Sequence, residues 1–210
     1  RVSVKSKNAD LVGKMFSAKM IELALANYPG FFIGGAVRSG GPVLVYWPAL
    51  IDSKHISETV HFDGKETTIL PTNQLGLEET YYQKQPIDIQ PAPSDPSIKM
   101  PLGELFGARS GDKGGCANIG VWAKTENAYS FLNECLTVKK IKELMPDLAE
   151  FQIDRYELPN ILSLNFYIHG ILEDGVSSNT RKDGQAKSLG EYLRAKYIEI
   201  PKSLIKEKEA

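Results

Sequence analysis

Arg109, Asp112 and Lys113 sit in a stretch, Gly107–Lys124, that also carries Ser110, Gly111, Gly114, Gly115 and Cys116. Glycine adopts backbone angles that other residues avoid, so a loop this rich in it can turn several N–H groups into one concavity. With Arg109 and Lys113 beside it, such a concavity suits a phosphate or a carboxylate. Arg109, Ser110, Gly111, Asp112, Lys113 and Gly114 are therefore candidate ligand-binding residues. A tight hairpin whose charges are merely solvated satisfies the same residues, and the sequence keeps both readings open. A Walker-type phosphate loop is excluded, because the stretch leads into a strand and lacks the lysine–hydroxyl ending.

Proton chemistry has a candidate further along. His169 is one of three histidines, and a histidine titrating near neutrality acts as general acid or base beside a carboxylate such as Asp112. Asp112, Lys113 and His169 are the candidates for catalysis, and no reaction is assigned. The competing reading is a histidine that only hydrogen-bonds within an interface. Cys116 would need a base within reach to act as a nucleophile, and it reads as a small buried residue. His55 and His61 lack the company of metal ligands, so no metal site is expected. Ser177–Asp183 precedes a helix, and Arg181 beside that helix start makes either an anion site or a capping loop. Arg155 and Glu157 share a strand face, where they either hold a planar carboxylate or pair with each other.

These residues need elements to position them. Gly103–Arg109 and Ala117–Ala123 read as strands around the glycine stretch. Ala128, Phe131, Leu132 and Cys135 mark one helix, and Val138, Ile141 and Leu144 mark another before Pro146. Phe151–Glu157 and Ile161–His169 are two further strands. Ala186, Leu189, Gly190, Leu193 and Tyr197 form the stripe of a last helix with Asp183 as its cap, and Tyr197–Ile200 closes as a short strand. The order β-β-α-β-β-α-β is close to a ferredoxin-like α/β sandwich within an α+β protein, one sheet covered by helices on one face. Alternation places Leu162, Leu164, Phe166 and Ile168 towards the helices. Asn118, Trp122, Asn165, Tyr167 and His169 then gather on the open face, as a ligand floor or a docking surface. Asn118 and Asn165 join the candidate ligand-binding set, as does Arg181.

Ahead of this module the signals thin out. Asn8–Asn27 reads as one amphipathic helix with Val12, Phe16, Met20 and Leu23 in a stripe, stopped by Tyr28, Pro29 and Gly30. Val43–Tyr46 reads as a short buried strand, and Thr59–Phe62 and Thr67–Leu70 as a hairpin about Asp63–Gly64. Six prolines between Pro71 and Pro101 disfavour regular structure and read as a linker. The expected organisation is a small α/β segment over residues 1–70, the linker over 71–101, the sandwich over 102–201 and a charged tail over 202–210. The net charge of −1 and the lack of a basic stripe argue against nucleic acid. No apolar run approaches the ~20 residues of a membrane span. Two cysteines point to a reducing, intracellular compartment, the cytoplasm or the mitochondrial matrix. A start at Arg1 leaves room for a removed targeting segment.

The segment from Leu102 to about Pro201 resembles the small C-terminal ferredoxin-like domain of the AtuA proteins, the acyclic terpene utilisation family. Ala108–Gly114, Ala117–Val121, Arg155–Asn160, Leu164–Gly170 and Arg181–Leu193 carry the resemblance, in the family's order. Tyr28–Gly35, with Tyr46–Leu50, is similar to the last part of the larger AtuA core domain, so residues 1–70 read as a remnant of that core. The resemblance implies a role in catabolism of acyclic terpenes, or of related branched acids handled as acyl-CoA thioesters. It implies a CoA thioester as substrate, no evident cofactor, and no reaction that can be named. The alternative is a non-catalytic interaction or structural subunit of a larger assembly. Either way the expected state is a homo-oligomer or a member of a larger complex, with the N-terminal core on a separate chain or absent.

Overall fold

The computed structural model describes residues 2–24, 26, 29–30, 32, 40–69 and 89–209. The chain divides into two compact units, residues 1–46 together with 88–210, and residues 47–87. The single helix expected over Asn8–Asn27 is two, α1 (Ala9–Val12) and α2 (Lys14–Ala24), interrupted at Gly13. Asn8 caps α1 as expected, accepting from the Asp10 N–H. Val12, Phe16 and Met20 are only half-buried and Leu23 is exposed, so the stripe is not sealed. Val43–Tyr46, expected as a buried strand, pairs with no described strand and is solvent-exposed, because an apolar run becomes a strand only beside a partner. The resemblance over Tyr28–Gly35 falls mostly outside the described residues.

The smaller unit holds one hairpin, β1 (Glu58–Phe62) paired antiparallel with β2 (Lys65–Ile69). Its turn residues Asp63 and Gly64 both have positive φ, 49° and 70°. That is the turn an Asp-Gly pair favours between strands.

The larger unit contains the sandwich. Two hairpins, β4 (Gly107–Lys113) with β5 (Cys116–Trp122) and β6 (Ile153–Leu158) with β7 (Ser163–Ile168), join through β5 and β7. The antiparallel sheet runs β4-β5-β7-β6. Between the hairpins lie α3 (Glu126–Cys135) and α4 (Val138–Leu144), each started by a threonine side chain accepting a helix N–H. α5 (Leu189–Arg194) packs on β4 from the same side. The core forms between these layers. Ala117, Ile119 and Val121 of β5 and Leu164, Phe166 and Ile168 of β7 are buried against Tyr129, Leu132, Ile141, Leu189 and Leu193. This is the α+β arrangement the sequence implies, helices on one face and the other face open.

Three boundaries move. The first strand of the sheet starts at Gly107, not Gly103, because Leu102–Glu104 makes a 3-10 turn whose Leu102 is buried. β8 (Tyr197–Pro201) does not close the main sheet. It pairs with β3 (Ser97–Pro101), inside the segment expected as linker, to form a separate two-stranded ribbon. Ile89 packs on the core and the Ala92 N–H donates to Glu134, so residues 89–101 of that segment are an ordered strap rather than a spacer, and residues 71–88 lie outside the described residues. The charged tail is α6 (Lys202–Glu209), which buries Leu204 and is capped by Asp95 accepting from the Ser203 N–H at 2.9 Å.

Arg155 ties the layers together. From the helix-facing side of β6 its guanidinium donates to the Leu136 carbonyl at 3.1 Å, to the Asn133 carbonyl at 2.7 Å and to Glu157 at 2.6 Å. A cation is favourable where the last carbonyls of a helix lack partners, and these are the carbonyls at the end of α3. Of the two readings of Arg155 and Glu157, internal pairing is the one observed. Arg155→Met should destabilise the protein by about 2–3 kcal/mol, since the side chain is largely buried and its loss leaves four acceptors unpaired, the Asn133 amide oxygen among them. Urea unfolding measures it. A change below about 0.5 kcal/mol would reduce Arg155 to an ordinary surface charge.

Candidate functional site

Antiparallel partners share a face, so the register sorts every candidate. Across the open side of the sheet, Arg109 lies in line with Gly120, Asn165 and Tyr156. The next row holds Gly111, Asn118, Tyr167 and Asp154. Beyond it Lys113 stands opposite Cys116, and His169 follows Ile168 at the adjoining end of β7. Asn118 donates to Asn165 at 2.9 Å. Asn118, Trp122, Asn165, Tyr167 and His169 do gather on the open face, half-buried or exposed.

The glycine stretch is a hairpin rather than a loop. Residues 107–113 are an extended edge strand paired with β5, so successive N–H groups alternate in direction instead of converging on one concavity. Only Gly114 takes a positive φ, 63°. Gly115 is required for a different reason: a Cβ there would collide with the Glu173 carbonyl, and the Leu172 N–H donates to Gly115. The tip is glycine because another turn packs against it.

Ser110 and Asp112 point to the helix side, opposite Ile119 and Ala117. Ser110 is fully engaged there, donating to the Lys187 carbonyl at 3.1 Å and accepting from the Gly190 N–H at 2.8 Å. Asp112 therefore does not accompany His169. The carboxylate that does is Asp154, whose Oδ2 lies 2.7 Å from His169 Nε2. Sequence reasoning missed it, although the alternation that put Arg155 and Glu157 on one face of β6 puts Asp154 and Tyr156 on the other. A neutral His169 donating from Nε2 keeps its lone pair on Nδ1, so Asp154 decides which nitrogen is the base. The His169 bond, then that of Gln152, holds the Asp154 carboxyl below its ordinary range. Tyr167 meets the His169 ring edge-to-face with centroids 4.9 Å apart. Hydrogen bonding with the Cys116 thiol, then burial, holds the Tyr167 phenol above its ordinary value. Cys116 is thus half-buried on the open face, not a core residue.

Arg181 is separate from this face. It lies 4.0 Å from Asp147, and the donors expected to make an anion site around it are used internally. Asn179 accepts from the Arg181 N–H, and Asp183 accepts from the N–H groups of Lys187 and Ser188. Asp183 is therefore not the cap the sequence suggested: α5 begins at Leu189 with no side-chain capping bond from Ser188, its Gly190 N–H is taken by Ser110, and Ser177–Asp183 is a loop held by its own side chains.

Residues 100–199 match the model of the AtuA ferredoxin-like domain. This segment is an AtuA ferredoxin-like domain. No curated protein and no solved structure matches the chain. The matched residues hold the whole of the sheet, both its hairpins and the helices behind it, while β8 runs two residues past their end. Among the described residues of the chain, no helix is long and apolar enough to cross a membrane.

The depressed Asp154 carboxyl of the AtuA ferredoxin-like domain has a stability consequence. A carboxyl lowered by folding contributes stability that is present above its unfolded pKa and fades as pH falls through the folded value. The wild type should therefore exceed Asp154→Asn in melting temperature at about pH 5 and lose that lead towards about pH 2.5. Melting curves across that range test it. A gap that does not change with pH would show that the His169 hydrogen bond is not what lowers the Asp154 carboxyl.

Proposed function

We propose that the open face of the AtuA ferredoxin-like domain binds an anionic group between Arg109 and Lys113, within an AtuA-like protein of acyclic terpene or branched acyl-CoA catabolism. One observation carries the reading. Arg109 and Lys113 flank Gly111 on the same side of β4, and neither has a carboxylate partner among the described residues. A Cβ on Gly111 would meet nothing within 4 Å. Neither packing nor backbone strain demands glycine there, and its missing side chain leaves a notch between two cations. The Asn118 amide stands directly opposite, a third polar group at the rim. Guanidinium, ammonium and amide donors around one notch suit a phosphate or a carboxylate, as on a CoA thioester or a branched acid. His169, oriented by its hydrogen bond to Asp154, lies farther along the same face. Two free cysteines fit a reducing compartment, cytoplasmic or mitochondrial.

The thermal shift caused by phosphate, coenzyme A or succinate tests the site. At least one should raise the melting temperature, and Arg109→Met with Lys113→Met should abolish the rise. No shift with any of the three would overturn the anion site.

A second reading, an interaction subunit within a larger assembly, is favoured by Trp122, Tyr156 and Leu158 standing exposed on the same face. Trp122→Glu would place a charge in such a contact. The assembly's mass in light scattering should then fall, and an unchanged mass would return the face to a small ligand.

A further inference from the structure

A cavity of about 410 Å³ opens at the Trp122 end of the sheet, away from the Lys113 end where the notch lies. Leu105, Phe106, Trp122 and Leu204 supply apolar walls, while Lys124 and Thr125 lie where α3 begins. The volume is within the range of small-molecule sites. Two glycines shape it. A Cβ on Gly107 would collide with the Trp122 indole, so glycine lets the ring lie across the strand. A Cβ on Gly103 would press into the Arg194 side chain, so glycine lets that stem form the opposite wall.

The charges around the cavity are unequal. Arg194 is held by Glu191 at 2.9 Å and Lys208 by Glu104 at 3.7 Å. Lys124 is left as the lining cation without a carboxylate partner among the described residues. It stands beside the N-terminus of a ten-residue helix, α3, where the backbone adds its own positive end. Glu207, on α6, likewise lacks a cation partner among the described residues, which makes the sign of the ligand's charge the decisive question.

We infer that this cavity binds an amphipathic monocarboxylate, its apolar body against Phe106 and Trp122 and its carboxylate at Lys124 and the start of α3. A single carboxylate matches a single free cation, whereas a phosphate dianion would be left partly uncompensated beside Glu104 and Glu207. The inference is independent of the Arg109 notch, and its residues are different ones.

Trp122 provides the readout. In a Trp47→Phe background, which removes an exposed indole, the full chain is titrated with octanoate, octanol and octylamine while the emission of Trp122 is followed. Octanoate should give a saturable change at lower concentration than octanol, and octylamine the weakest. Lys124→Met should weaken octanoate by about fivefold and leave octanol unchanged. Gly107→Ala should displace the indole and remove the response to octanoate. If Gly107→Ala fails to fold, as judged by circular dichroism, the Lys124→Met comparison still decides. Equal binding of octanoate and octanol, tighter binding of octylamine, or no saturable change would each overturn the inference.

Discussion

The pairing of β5 with β7, which sets Ile119 opposite Phe166, is the one contact that makes two hairpins into a sheet. Each hairpin alone would expose an apolar face, and neither brings the helices a surface wide enough to cover. Side chains alternate along a strand, so a slip of one residue between β5 and β7 would turn Ile119 and Val121 outwards and bury Asn118. The Asn118–Asn165 hydrogen bond exists only in the native register and marks it from the open side. The core and the polar floor follow from that one alignment, while the closeness of His169 to Asp154 comes from the pairing of β6 with β7 inside the second hairpin.

Most polar residues that look functional in the sequence are consumed in supporting this frame. Arg155 closes the end of α3, Asn179 and Asp183 order the loop before α5, and Ser110 spans β4 and α5. Gly190 lies so close to the Arg109 backbone that a Cβ would stand 3.2 Å from its Cα. These groups neutralise donors and acceptors that burial would otherwise leave unpaired. Those left over on the open face, Arg109 and Lys113 above all, are candidates because the fold makes no use of them.

The sheet and its helices were legible because alternation in β5 and β7 is strict, and because Ala128, Leu132 and Ile141 recur at helical spacing and end in the core. The open face was legible for the same reason, and five of its residues are placed as the pattern requires. The partner of His169 was not, since the glycine stretch drew the choice to Asp112, while a strand's period of two sends Asp112 to the other side and the true partner, Asp154, lies on β6. The glycine stretch misled in a similar way: glycines suggest a loop, but Gly111 and Gly120 are strand residues and Gly115 answers to Glu173, fifty-eight positions away in the chain. The β3–β8 ribbon was hidden because Pro96 and Pro101 mask a short edge strand whose partner lies at the far end of the domain. No local pattern reports a pairing of that separation.

That ribbon bears on how the domain would respond to tension. β3 enters at Ser97 and β8 leaves at Pro201, and those two residues are paired with each other. Once the strap of Ile89 and Ala92 has peeled from the core, a pull on the flanking chain would load this one pair and part the strands rung by rung, like a zipper, instead of shearing all the rungs together. The Asp95–Ser203 clasp sits just outside that rung and would have to break before it. The four-stranded sheet, whose strands do not carry the exit and entry points, would stay unloaded until the ribbon had opened. The domain is therefore built with a mechanically weak seam at its own doorway.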